Sequence, residues 1–127
     1  MSVGLLPADP SVVVLDAVKD ALPSVPVGYD MPAGSRKVLL TLDGGAPMTA
    51  VSQHWTLTVS SYCCEQGAFD HARADDMWRN AVRSLLAHRR DAPLIDVDLQ
   101  SGPIVNHDAD LDVDYVYGAL MLTVAMQ

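Results

Sequence analysis

The residues best placed to do chemistry fall in one short run, His107, Asp108, Asp110, Asp112 and Asp114, where carboxylates alternate with Ala, Leu and Val. If the segment is extended, a two-residue period puts those carboxylates on one side. Three readings fit: a divalent-ion site, an acidic strand edge that discourages wrong pairing, and an acidic surface used in assembly. A calcium loop is excluded, because the sixth position from Asp108 is Val113 rather than Gly and the twelfth is Ala119 rather than Glu. His71 and Asp75, four residues apart, share a helix face and could hold one metal between them, but two ligands do not make a site and no third can be named. His54 and His88 are isolated and read as structural. Dinucleotide, P-loop, zinc-protease and nucleophile-elbow signatures are all absent. The sequence therefore predicts no catalytic residue, metal or cofactor.

Other candidates point to contact rather than catalysis. Tyr115 and Tyr117 lie on one side of a strand and form either a contact patch or packing beneath a helix. Met48 sits in a loop from Gly44 to Val51, which is either a partner-binding projection or a plain connection. Arg79, Arg83, Arg89 and Arg90 belong to a basic middle: five of the eight Lys and Arg residues lie between Arg73 and Arg90, whereas Asp91 to Gln127 holds seven aspartates and none. The basic middle and the acidic end could meet across subunits, or be two solvated surfaces.

The elements that must position these residues follow from periodicity. Val13, Val14, Ala17, Val18 and Ala21 at helical spacing predict a helix from about Ser11 to Leu22, with Asp9 as N-cap, Pro10 at the first helical position and Pro23 as the stop. A loop-rich passage with a short extended piece near Val25 to Tyr29 leads to a strand from Arg36 to Asp43, which Gly44 and Gly45 end in a turn. Ser52 to Tyr62 is the clearest strand, with Trp55, Leu57 and Val59 alternating with polar residues. Phe69, Ala72, Trp78, Ala81, Val82, Leu85 and Leu86 mark the long helix, supported by the Asp75 and Arg79 pair. Leu94 to Leu99 reads as a short strand, Ser101 to Pro103 as a turn and Asp112 to Met126 as a long final strand. Trp55 and Trp78 fall on apolar stripes and belong to the core. The expectation is one α+β domain over residues 1–127: a single mixed or antiparallel sheet with two helices packed on it, in the order α-β-β-β-α-β-β.

Composition bounds the function. The chain has 127 residues, half of them hydrophobic and 19% charged, so it folds around a core rather than staying disordered. A net charge of -8 argues against an electrostatic binder of duplex DNA or anionic membrane. Cys63 and Cys64 point to opposite sides of a strand, which disfavours a disulfide between them, and they read as free thiols in a reducing compartment. No apolar run suits a membrane span or a signal peptide, so synthesis without export is expected.

The stretch DAVKDALPSVPVGYDMP that begins at Asp16, RKVLLTL from Arg36 to Leu42, HWTLTVSSY from His54 to Tyr62 and WRNAVRSLLA from Trp78 to Ala87 form a layout, completed by Gly102-Pro103-Ile104 and YVYGALMLTV from Tyr115 to Val124. Over nearly the whole chain this layout resembles the tail terminator (tail-completion, or minor tail) proteins of long-tailed phages with non-contractile tails. The resemblance implies a non-enzymatic virion subunit, made in the host bacterial cytoplasm, that forms a homo-oligomeric ring, usually a hexamer, on the head-proximal end of the tail. Such a ring stops polymerisation of the major tail tube protein and gives the head-tail connector protein a docking surface. DNA passes through its pore without specific binding, and an acidic subunit suits that lumen. No site residues carry over. A head-side neck or connector subunit, also ring-forming, and a small metal-dependent hydrolase using the aspartate run are the alternatives.

Overall fold

Two buried stripes and four alternating strands organise the molecule. The computed structural model describes residues 8–47 and 52–126. Helix α1 covers Ser11–Ala21, and strands β1 and β2 cover Val27–Gly28 and Arg36–Pro47. Strand β3 is Ser52–Glu65, β4 is Ala68–Phe69, helix α2 is His71–Ala87, β5 is Leu94–Asp108 and β6 is Val113–Ala125. The order is the expected one, with the two-residue β4 added before α2.

The main sheet runs β1-β2-β3-β6-β5, antiparallel except for β1 against β2, and β4 pairs with the end of β3. Register sets one face: Leu40 opposes Val59, Leu57 opposes Leu120 and Val97 opposes Leu122, and all of these are buried. Val14, Ala17 and Val18 of α1 and Ala74, Met77, Trp78, Ala81, Val82 and Leu85 of α2 join the same apolar cluster. The helices are tied together by the Ser84 hydroxyl, which donates to the Ala17 carbonyl at 2.7 Å. The domain is therefore two layers, helices on one face of a sheet whose other face carries none among the described residues. No helix of the described residues is long and apolar enough to cross a membrane.

Caps explain where the helices begin. Asp70 caps α2 by accepting the Arg73 amide at 3.1 Å. At α1 the N-cap is Pro10 rather than Asp9, with no side-chain cap, although Asp9 still accepts the Ser11 amide at 2.9 Å. Phe69 falls outside α2, because β4 holds it against Cys64 before the helix starts.

Two expected turns are strand instead. Gly44 and Gly45 do not end β2, which continues to Pro47 through a register shift. A β-carbon on Gly44 would sit 3.4 Å from the Trp55 ring and one on Gly45 only 2.8 Å from the His54 carbonyl. These glycines permit close strand approach rather than reversal. Ser101 to Pro103 likewise lies inside β5, which runs on to Asp108 through irregularities between Leu99 and Ile104. There Gly102 takes φ +102°, and the extra residues bulge without breaking the pairing with β6. The Trp78 indole fits over this spot, its Nε1 donating to the Val59 carbonyl at 3.1 Å.

Candidate functional site

Extending β5 changes the place of the acidic run. His107 and Asp108 end β5, Ala109 to Asp112 make the turn, and Asp114 lies on β6 opposite His107. The run is a hairpin tip rather than one extended row, so its carboxylates do not line up on one side. Asp112 takes φ +53°, a backbone region that Asp tolerates better than most residues. Asp108 organises the turn: Oδ1 accepts the amides of Asp110 at 2.9 Å and Leu111 at 3.0 Å, and Oδ2 accepts the Tyr62 hydroxyl at 2.9 Å. The amide of Leu111, then the Tyr62 hydroxyl, hold the Asp108 carboxyl below its ordinary pKa. Burial, then the Asp108 hydrogen bond, push the Tyr62 phenol well above its ordinary value. Asp112 and Asp114 bracket the His107 ring, so the described carboxylates of the tip other than Asp110 are engaged in structural bonds.

Tyr115 and Tyr117 lie on the helix-free face, which decides between the two sequence readings against packing beneath a helix. Tyr115 stacks on Tyr62 with ring centroids 4.7 Å apart, Tyr117 is tilted 5.9 Å beyond it, and the Lys37 ammonium stands 5.7 Å from the Tyr62 ring. The tip is thereby joined to an aromatic row on the sheet.

The arginines divide by partner. Arg79 Nε lies 2.7 Å from Asp75, as the spacing predicts, and Arg83 donates to the Asn80 side chain at 2.9 Å. Arg89 and Arg90 follow α2, are exposed and make no ion pair among the described residues. They are not in a purely basic setting, since Asp9, Asp16, Asp20 and Asp91 line the cleft between α1 and the end of α2. The tip lies at the opposite end of β5, which at ~3.3 Å per residue is at most roughly 45 Å away. Among the described residues none of these arginines forms an ion pair with the aspartates of the tip.

The sequence reading missed the edge strand. Ile95, Leu99, Ile104 and Val105, all on β5, are 42–49% exposed. β5 is the last strand of the sheet, so these side chains lie along its free border. Reading Leu99 as a strand end and Ser101 to Pro103 as a turn hid this border. The clue available in sequence was the apolar pair Ile104-Val105 beyond the glycine.

His71 and Asp75 do not converge on a site: Asp75 is committed to Arg79, and the His71 ring tilts against Phe69 with centroids 5.8 Å apart. Among the described residues no group of three or more His, Cys, Asp or Glu side chains is arranged to hold a metal ion. Met48 lies outside the described residues. Cys63 and Cys64 are free thiols, one buried and one half-buried. Comparison with protein-family models and with curated proteins finds no match.

Proposed function

We propose that the chain is a structural subunit that associates with copies of itself into a ring of the tail-terminator type its sequence resembles, closing the head-proximal end of a phage tail tube and receiving the head-tail connector protein. The observation that carries the self-associating part is the β5 border, where four large apolar side chains stand exposed along one free edge strand. Leu99 and Val105 oppose the buried Leu120 and Val116 on the helix side and Ile104 opposes Tyr117 on the other, so a partner would contact both sides of this edge. The strand is blunted against addition of another strand by its bulges, by Pro103 and by Asp96 and Asp98. A neighbour would accordingly cover its side chains rather than extend the sheet.

Charge supports the same reading. Arg89 and Arg90 near one end of β5 make no ion pair among the described residues, and at the other end the Asp110 carboxylate is the one of the tip not engaged in a structural bond, so a head-to-tail neighbour could pair them. The hexameric copy number, the tail tube and connector as partners, and the virion as location rest on the resemblance alone.

Electron microscopy of particles made without this gene tests the role. Overlong tail tubes without heads are the expected result. Tails of normal length that fail to join heads would replace it with the neck-connector reading, and normal infectious particles would refute both. On the isolated protein, Arg89→Glu with Arg90→Glu should weaken oligomers on native mass spectra more than Lys19→Glu. Equal effects would remove the arginine pair from the interface.

A further inference from the structure

His107 stands at the centre of the acidic tip. Its Nδ1 lies 2.8 Å from Asp114 Oδ1 and its Nε2 lies 3.1 Å from Asp112 Oδ1. A carboxylate oxygen only accepts, and a neutral imidazole has one N–H. Both bonds can exist together only when the ring carries two protons. Losing one turns a nitrogen lone pair toward a carboxylate about 3 Å away, an arrangement that repels.

The two bonds fasten different parts of the tip. Asp114 is the cross-strand partner of His107 on β6, whereas Asp112 is the turn residue held at positive φ. From these facts we propose that His107 is a proton-dependent latch on the β5–β6 tip, which holds the acidic turn in one arrangement while doubly protonated and releases Asp112 when neutral. The surrounding groups set its sense. Asp108 precedes the turn on the same strand and Asp110 lies within it; β3 contributes Cys64 and, bonded to Asp108, Tyr62; β6 contributes Tyr115, stacked on Tyr62. Gly67 and the Phe69 ring complete the shallow cleft on the remaining side. The two groups bonded to the imidazole are carboxylates, and β2 contributes a cation, the Lys37 ammonium 5.7 Å from the Tyr62 ring that bonds Asp108.

Hydrogen bonding to Asp114, with a smaller contribution from Asp112, raises the His107 pKa above its ordinary 6.5. The folded value exceeds the unfolded one, so the stabilisation is complete below pH 6.5 and is lost as pH rises through the raised folded value. Because the site is exposed, salt weakens it.

The latch concerns one chain and does not depend on ring formation; only its consequence, that the ordered tip is the form that docks, rests on the ring reading. Proton and 15N NMR of the full-length chain, titrated from pH 5.5 to 9, tests it directly. The expected result is a His107 midpoint above that of the same histidine in urea. The backbone order parameters of residues 110–113 should fall with that midpoint, from about 0.85 toward about 0.6. Asp114→Asn should lower the midpoint more than Asp112→Asn, and His107→Gln, at an exposed position that leaves the core intact, should abolish the pH dependence of the turn. A His107 midpoint equal to its value in urea, or a turn whose order ignores the titration, overturns the latch. Failure of the ring reading shows elsewhere, as a chain monomeric on native mass spectra at pH 6 and at pH 8.5 whose His107 titration is unchanged.

Discussion

Gly118→Ala is the most demanding test of how β5 is seated. Gly118 of β6 lies under the Trp78 indole, and a β-carbon there would come 2.3 Å from Trp78 Cζ2, 2.4 Å from the Ser101 carbonyl and 3.0 Å from Gly102 Cα. Two of those three neighbours are backbone of the bulge in β5, and the third is the ring of a residue only 2% exposed. None can rotate away cheaply. Overpacking a well-filled core costs about 1–3 kcal/mol, and backbone on two sides puts this site at the upper end, about 3 kcal/mol. With unfolding entropy of about 2.1 cal/mol/K per residue, 127 residues give roughly 0.27 kcal/mol/K, so Tm should fall by about 11 °C. Differential scanning calorimetry reads the shift. Repeating the substitution in a Trp78→Leu background separates the contacts: the cost should shrink but not vanish, because the Ser101 carbonyl stays in place. A Tm within about 2 °C of the parent protein would refute the packing argument, and with it the reason given for a glycine at this point of the sheet.

Three further outcomes follow from other contacts. Tyr29 donates to the Ser11 carbonyl at 2.7 Å, so Tyr29→Phe should cost about 1 kcal/mol in urea unfolding at neutral pH. Burial, with the Asp9 charge adding to it, pushes that phenol up to about 12. Its folded pKa is raised, so the parent protein should lose stability between pH 10 and pH 12 and the Phe variant should lose less; parallel pH profiles would contradict this. Asp70→Ala removes the α2 cap and should cost about 1 kcal/mol, with Asp70→Ser recovering most of it in the same unfolding assay. Burial pushes the Cys63 thiol up, so alkylation of the native protein at pH 8 should label Cys64 first and Cys63 only in denaturant, as peptide mass spectrometry would report.

Periodicity determined the layers. The apolar stripes of Val14, Ala17 and Val18 and of Trp78 to Leu85, with the alternation through Leu57 and Val59, sufficed for two helices on one sheet, because each pattern has one way to bury its apolar side. The Asp75 and Arg79 pair was legible for the same reason, being local to one helix. What the sequence could not decide depended on neighbours far along the chain. Gly44, Gly45 and Gly102 look like turns locally, and they are strand residues because Trp55, His54 and the Gly118 region press against them. The acidic run looked like a single row, and the hairpin folded it so that His107 meets Asp112 and Asp114 and Asp108 meets Tyr62 across 46 residues. Tertiary structure alone turned β5 into the free border of the sheet, since strand order is set by which edges pair in space, and no local pattern records that.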